Sequence, residues 1–231
     1  MLITYMIGAV AAYGSNLLAL PLLLFIIQDV DIVVAVLLIT GTVQSGHLAL
    51  VNRTFLNTRK MLLILAVCLV GTPVGFYASG VLPEKKLMLA MGIVLIISGA
   101  IPLLWAIIIR MPRIVCYILL IFGGMIHGAF GAGGGPIVLA VRSMIPNKLE
   151  FRATLFFFWT VINFMMAASR GMAGRMDSYV LLLSLLALPV LFLGNYMGQY
   201  IAVKLSNAAF DRLVGLVLIL AGVITIYQSI N

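Results

Sequence analysis

Long hydrophobic stretches alternate along the chain with short segments that hold its charged residues. About 20 apolar residues, at 1.5 Å rise each, are needed for a helix to cross about 30 Å of hydrocarbon, and most of the stretches reach that length. In lipid, a helix satisfies the backbone hydrogen bonds of such a segment internally. The pattern therefore predicts an all-α integral membrane protein with eight apolar segments: residues 2–27, 32–51, 61–82, 87–109, 114–141, 153–169, 179–203 and 213–227.

Composition narrows the class further. The chain of 231 residues is 64% hydrophobic and 9% charged, whereas a soluble domain is about 45–50% apolar and about 25% charged. These values exclude an aqueous globular enzyme, a disordered chain and a disulfide scaffold. The net charge of +8 is dispersed in ones and twos through the connecting segments. That distribution is typical of anchors near anionic headgroups and does not indicate a nucleic-acid partner.

The chain also repeats itself. We interpret the matches as two membrane repeats, residues 1–112 and 113–231, although chance matching in apolar sequence is the alternative. Duplication of this kind is typical of transporters, which place the substrate site at the repeat interface. A shift of 123 residues superposes Gly71, Gly75, Tyr77, Gly92 and Gly99 on Gly194, Gly198, Tyr200, Gly215 and Gly222, and a shift of 118 pairs Ala35, Thr42 and Val43 with Ala153, Thr160 and Val161.

The first segment of each repeat is interrupted near its centre, so we expect it to be broken or re-entrant. If both segments cross fully, the repeats are parallel and the basic residues divide seven to seven between the two sides. If both are re-entrant hairpins, the repeats are inverted and the division is ten to four. The positive-inside rule favours the second arrangement, with the ten-charge side cytoplasmic. Those ten are Arg53, Arg59, Lys60, Arg110, Arg113, Arg142, Lys148, Arg152, Lys204 and Arg212, against Lys85, Lys86, Arg170 and Arg175.

The interruption in the second repeat is rich in glycine and runs from Gly131 to Pro136. Each interior glycine costs a helix about 1 kcal/mol relative to alanine, and proline suits the first turn of a new helix. The segment therefore predicts a helix break at membrane depth. A half-helix that begins there presents unpaired N–H groups and the positive end of its dipole, a combination that binds anions. The segment matches neither the phosphate-loop nor the dinucleotide-binding glycine motif.

We expect the substrate site to combine this break with polar residues at matched positions of the two repeats. His127 lies one turn before the break and is a candidate proton carrier or hydrogen-bond donor; a neutral histidine bonded to a freed carbonyl is the alternative. For the polar residues, ordinary interhelical hydrogen bonding is the alternative. The candidate substrate-binding residues are Gly131, Gly133, Gly134, Gly135, Thr160, Asn163, His127, Ser15, Asn16, Thr42 and Ser45.

Three arginines at the ends of apolar segments, Arg142, Arg152 and Arg170, carry positive charge close to the membrane. We expect them to extend to the lipid headgroups, with steering of anions as the alternative. No acidic residue lies inside any segment, and neither a nucleophile–base set nor a metal-binding motif is present. We therefore expect no enzymatic activity, cofactor or metal, and an anionic substrate. A structural membrane subunit that organises partners is the alternative function.

Four features of the chain are notable together: residues Gly131 to Pro136, the run Arg152-Ala153-Thr154, positions 157–163, and the pair Gly194 and Gly198. In these features the chain resembles the TauE/SafE sulfite-exporter family, also called the TSUP membrane transporters. The resemblance implies a multi-pass carrier of the bacterial inner membrane that moves sulfite, an organosulfonate or another small anion. We expect the two repeats to move against each other for alternating access, with export favoured, and a homo-oligomer is possible. One departure is that the first repeat has Asn16, Leu17 and Leu18 where the family often has a glycine-rich break.

Overall fold

A computed structural model describes residues 1–81, 83–104, 111–130, 134–174 and 176–230. Every regular element in these ranges is helical, which confirms the all-α prediction for them. The helices are α1 (Leu2–Ala11), α2 (Ser15–Ile27), α3 (Val30–Val51), α4 (Thr58–Val81), α5 (Glu84–Leu104), α6 (Arg113–Phe130), α7 (Gly134–Met144), α8 (Lys148–Met172), α9 (Ser178–Lys204) and α10 (Asn207–Ile230), with a 3₁₀ turn at Arg53–Phe55.

Short polar side chains fix where several of these helices begin. The Asp29 carboxylate accepts a hydrogen bond from the Ile32 amide at the start of α3. Asp177 does the same for Val180 at the start of α9. Such caps satisfy amide groups that the first turn of a helix leaves unpaired.

Length and composition make four of the described helices able to cross a bilayer: Asp31–Val51, Thr58–Ala78, Lys148–Met172 and Ser178–Lys204. Shorter apolar helices occupy Leu2–Ala11, Arg113–Ala129 and Gly215–Tyr227. The number of crossings and the relation between the repeats stay predictions.

The helices group into two compact units that interleave along the chain. The first unit comprises Met1–Met61 and Arg152–Lys204, and the second comprises Leu62–Phe151 and Leu205–Asn231. Each unit takes helices from both predicted repeats, 1–112 and 113–231. The units defined by packing therefore differ from the repeats defined by sequence duplication. The repeat boundaries also stay a prediction.

In the first unit, α2 packs on α3 through a small aliphatic core that includes Leu20, Val33 and Leu37. Helix α1 packs on α9 where α9 has glycine. A methyl group built on Gly194 would lie 2.8 Å from Cβ of Tyr5 and 3.2 Å from the carbonyl oxygen of Leu2. Small residues thus bring the two backbones close together, as is usual between helices in membranes.

The second unit uses the same device twice. On α4, methyl groups at Gly71 and Gly75 would overlap the backbone of α6 at Ile121 and Met125. Helices α5 and α10 approach each other in the same way. A methyl group built on Gly222 would lie 2.7 Å from the carbonyl oxygen of Gly92, and one built on Gly215 would lie 2.6 Å from the carbonyl oxygen of Gly99. Since residue numbers rise along α5 as they fall along α10, these two helices are antiparallel.

Candidate substrate site

The first predicted interruption is a reversal of the chain in the first unit. Helix α1 ends at Ala11 and α2 begins at Ser15. Between them Ala12 has φ of 63° and Gly14 has φ of 92°, and the left-handed region costs a non-glycine residue about 1–2 kcal/mol. A methyl group on Gly8 would lie 2.6 Å from Cβ of Ser15, although seven residues of continuous helix span about 10 Å. The two short helices therefore fold back on each other.

Two side chains of α8 bind the carbonyl groups at the end of α1. Trp159 Nε1 donates to the Ala12 oxygen at 3.0 Å, and Arg152 Nη2 donates to the Ala9 oxygen at 2.8 Å. The last carbonyls of a helix lack partners within it, and a cation is favourable at that negative end. Helix α8 therefore stabilises the break from a distant part of the chain.

Two of the predicted site residues, the amides Asn16 and Asn163, meet at Gly41 of α3. A methyl group there would be 2.8 Å from Asn16 Nδ2 and 3.2 Å from Asn163 Nδ2. Asn16 Nδ2 donates to the Leu37 oxygen at 3.2 Å, while Oδ1 of Asn16 and Oδ1 of Asn163 are buried without a hydrogen-bond partner. The Asn163 amide can turn to present Nδ2 to a ligand, whereas Asn16 already uses Nδ2 on the Leu37 oxygen and offers its oxygen as an acceptor.

The predicted hydroxyl groups are engaged within their own helices. Thr42 donates to the Leu38 oxygen at 2.7 Å, and Thr160 donates to the Phe156 oxygen at 2.7 Å. Ser45 similarly donates to the Gly41 oxygen. Hydroxyls bonded back in this way offer a ligand only lone pairs in this conformation, so they serve an anion less well than the amides. Ser15 lies beside Gly8 at the reversal.

The second predicted interruption lies in the second unit, between the end of α6 at Phe130 and the start of α7 at Gly134. Two predicted site residues, Gly131 and Gly133, fall outside the described residues. A methyl group on Gly123 would lie 3.1 Å from the amide nitrogen of Ile137, whereas fourteen residues of continuous helix span about 21 Å. Helices α6 and α7 therefore also fold back on each other.

Around this second break, Gly134 and Gly135 are buried in the first turn of α7. The first amide groups of a helix have no hydrogen-bond partner inside it, and Pro136 has no amide hydrogen to donate. His127 is buried in the last turn of α6. This end of the second unit thus combines amide donors at a helix N-terminus with a nearby imidazole on the preceding helix.

Lone amide side chains inside apolar segments form a network that the sequence analysis missed. Gln44 Nε2 donates to the Tyr5 oxygen at 2.8 Å and to Asn195 Oδ1 at 3.0 Å. Asn195 Nδ2 lies 3.2 Å from Nδ1 of His47, whose ring makes an edge contact with Phe192. The signal was a single carboxamide in an otherwise apolar run, which is costly in lipid unless it is paired.

Arg152 departs from the expectation that it extends to the headgroups, because it is fully buried in the first unit. Besides the Ala9 oxygen, its Nη2 binds Oε1 of Gln199, and Gln199 Nε2 donates to Asn52 Oδ1 at 3.0 Å. The residue lies one turn inside α8, which begins at Lys148, and it faces the end of α1. Position near a segment end did not predict this orientation.

Among the described residues, no group of three or more histidine, cysteine, aspartate or glutamate side chains is placed to hold a metal ion. Cys68 and Cys116 are both buried free thiols.

The family model for the sulfite exporter TauE/SafE matches residues 1–225. A protein of Cupriavidus necator described as a probable sulfite/organosulfonate exporter TauE is 26% identical over 101 residues, which are 42% of this chain and 40% of that relative. The match thus spans less than half of the relative's length. No solved structure matches the chain.

Proposed function

The chain belongs to the sulfite exporter TauE/SafE family, a family of membrane transporters and not of enzymes, and we propose that this multi-pass membrane protein exports a small anion, sulfite or an organosulfonate. The description of the family and the name of the Cupriavidus relative support this substrate class. We place the protein in the bacterial inner membrane, where such an anion would leave the cytoplasm.

The observation that carries the proposal is the fold-back break present in each unit. Each break starts a short helix inside an apolar segment, α2 at Ser15 and α7 at Gly134. A helix N-terminus favours an anion through its unpaired amides and its dipole, and a protein that only anchors partners does not require broken helices. In the second unit we assign the anion to the amides of Gly131, Gly133, Gly134 and Gly135, with His127 beside them.

In the first unit we assign the corresponding role to the amides of Asn16 and Asn163. These buried side chains have unused hydrogen-bonding capacity at Gly41. An anion only accepts hydrogen bonds, so it would bind Nδ2 of Asn163 after the amide turns, and Nδ2 of Asn16 in place of the Leu37 oxygen. Ser15, Thr42, Ser45 and Thr160 complete this polar lining after rotation of their hydroxyl groups.

Contacts that recur at matched positions support the two repeats. The pair Gly71 and Gly75 packs on the backbone of α6 at Ile121 and Met125, and its counterparts Gly194 and Gly198 pack on α1 at Leu2 and Met6. A shift of 123 residues relates the glycines, and a shift of 119 relates the residues that they touch.

The antiparallel pair α5 and α10 favours inverted over parallel repeats. Gly92 faces Gly222, and Gly99 faces Gly215. The 123-residue shift, which carries Gly92 to Gly215 and Gly99 to Gly222, exchanges the two contacts. Two helices that occupy equivalent places in the repeats and cross antiparallel are related by a twofold axis perpendicular to both. If the helices span the membrane, this axis lies in the membrane plane, which is the relation between inverted repeats. We therefore propose inverted repeats that move against each other to alternate access.

The membrane potential supplies a driving force for export. Moving one negative charge out of an inside-negative cell releases about 2.3 kcal/mol per 100 mV. Export consequently requires no coupling ion, and ATP hydrolysis is not part of the proposal.

Flux through purified protein in vesicles tests this function. Proteoliposomes loaded with sulfite or methanesulfonate, with an imposed potential that is negative inside, should release the anion faster than protein-free vesicles, and reversal of the potential should slow the release. If neither sulfite, a sulfonate nor another small anion moves faster than in empty vesicles, the proposed function is wrong.

A further inference from the structure

We propose that Arg152 recognises the negative charge of the transported anion, with its Nε and Nη1 groups donating hydrogen bonds to the oxygens of a sulfite or sulfonate group. This inference rests on the proposed function and adds a binding residue outside both helix breaks. In this proposal the negative charge of the substrate is recognised by a buried cation of the first unit. The sequence indicated only an arginine at the edge of the membrane.

The first argument is the unused donor capacity of the guanidinium. Of its five N–H groups, those on Nη2 bind the Ala9 oxygen and Gln199 Oε1. Nε and Nη1 are buried and have no hydrogen-bond partner. Arg152 is itself 0% exposed, so water at the protein surface does not satisfy them. Buried donors of a charged group are costly when they stay unpaired.

The second argument is that no acidic residue of the first unit pairs with the guanidinium. The first unit contains three acidic residues, and all are engaged elsewhere. Asp29 and Asp177 cap α3 and α9, and Asp31 forms a salt bridge with Arg170 at 2.8 Å. The Phe156 ring, with its centroid 5.5 Å from Cζ of Arg152, and the carbonyl end of α1 compensate only part of the charge.

The third argument is the position of Arg152 on α8. Arg152, Phe156, Trp159 and Asn163 are spaced by four, three and four residues, so they lie on one face of the helix. That face contacts the end of α1 through Arg152 and Trp159, and Asn163 lies beside Gly41. Eleven residues of helix separate Arg152 from Asn163 by about 16 Å. One small anion cannot touch both residues, so Arg152 forms a separate station along the same face.

Equilibrium binding of radiolabelled sulfite to the full-length protein in lipid-free detergent tests the proposal. Arg152→Gln should weaken binding about 10- to 100-fold, the loss for one hydrogen bond to a charged group. Arg152→Lys should fall between this variant and the wild type, because it keeps the charge but has fewer donors. Arg170→Gln removes an arginine of the same unit from a salt bridge and should bind within about twofold of wild type. Folded Arg152→Gln protein that binds like wild type overturns the proposal.

Gln199→Glu decides the question even if Arg152→Gln does not fold. The new carboxylate would neutralise Arg152 in place. Asn52 would lose the hydrogen bond that it accepts from residue 199 and keep the one that its Nδ2 donates to the Leu48 oxygen. We expect at least a tenfold loss of sulfite binding by the folded protein. If Arg152 only caps α1, sulfite binding is unchanged, and the proposal is wrong.

The remaining outcomes separate this inference from the proposed function. Binding that depends on Arg152, without flux in vesicles, overturns transport and leaves the anion station in place. Flux together with normal binding in Arg152→Gln leaves transport in place and overturns the station. A lipid phosphate could occupy the same donors. If phosphatidylglycerol raises the melting temperature through Arg152 and sulfite does not, the station belongs to lipid and the proposal fails.

Discussion

The crossing of α5 and α10 gives a quantitative test of the packing that underlies the proposed repeats. We consider Gly222→Ala. The added methyl group would lie 2.7 Å from the carbonyl oxygen of Gly92 and 2.9 Å from the amide nitrogen of Ile96. Because carbon atoms prefer about 3.5 Å or more from a neighbour, the helices must separate by roughly 0.8 Å. Cγ1 of Ile96 also lies 2.7 Å away and can move by a change of rotamer, but the two backbone atoms cannot, so the overlap persists.

Overpacking of this kind costs typically about 1–3 kcal/mol. Alanine returns up to about 1 kcal/mol through its higher helix propensity. Since backbone atoms are in the way, we take the upper part of that range, about 2–3 kcal/mol, and with about 1 kcal/mol returned the expected net destabilisation is about 1–2 kcal/mol. For a chain of this length, about 2–4 °C of melting temperature is lost per kcal/mol, so Gly222→Ala should melt about 2–8 °C below wild type.

A second glycine of α10 sharpens the test. Gly215→Ala places a methyl group 2.6 Å from the Gly99 oxygen at the other end of the crossing, and it should cost about the same as Gly222→Ala. The double variant should cost less than the sum of the two, because one separation of the helices relieves both overlaps.

Thermal unfolding of the detergent-solubilised protein, followed by size-exclusion fluorescence, measures these shifts. Gly46→Ala is the matched control, because its methyl group would be 3.6 Å from Cγ2 of Thr160, an ordinary contact. If Gly222→Ala melts at or above the temperature of Gly46→Ala, the close approach of α5 and α10 is refuted. Strict additivity in the double variant would instead refute a shared rigid-body separation.

Three further predictions concern the proposed transport. Gly134→Leu should abolish anion flux while the protein still assembles, because it fills the first turn of α7. Normal flux would show that this break does not bind the anion. Asn163→Leu should reduce flux at least tenfold with an unchanged or higher melting temperature, since it deletes a buried amide whose oxygen has no partner; lost stability with intact flux would indicate a purely structural amide. In a background without native cysteines, Lys60→Cys and Lys148→Cys should both resist a membrane-impermeant thiol reagent in intact cells, whereas Lys85→Cys should react. Labelling of one of the first two and not the other contradicts inverted repeats.

Much of the candidate site was predictable because it consists of local breaks in helical sequence. The glycines before Pro136 cannot continue a stable helix, and the helix that begins at Gly134 follows from that chemistry alone. The sequence offers Asn16 and Asn163 as separate candidates and does not predict that they meet at Gly41, since nothing in a sequence shows which side of a helix faces which partner.

The use of the hydroxyl groups could not be predicted. Polar side chains are unusual in apolar segments and predict a binding role for Thr42 and Thr160, yet each donates to a carbonyl one turn earlier in its own helix. A threonine on a membrane helix always has that option. Whether it faces a cavity or bonds to its own backbone depends on the neighbouring helices.

The sequence by itself determined the helical class and the two interrupted segments, because lipid provides no partner for backbone groups and hydropathy therefore reports each helix directly. Family membership follows from the sequence as well. Only the tertiary structure decided which helices share a unit, that both interrupted segments fold back, and that Arg152 is buried against the end of α1. The physical reason is that these features depend on contacts between distant residues, such as Arg152 and Ala9, 143 positions apart. The energy of such a contact depends on geometry that no local pattern encodes.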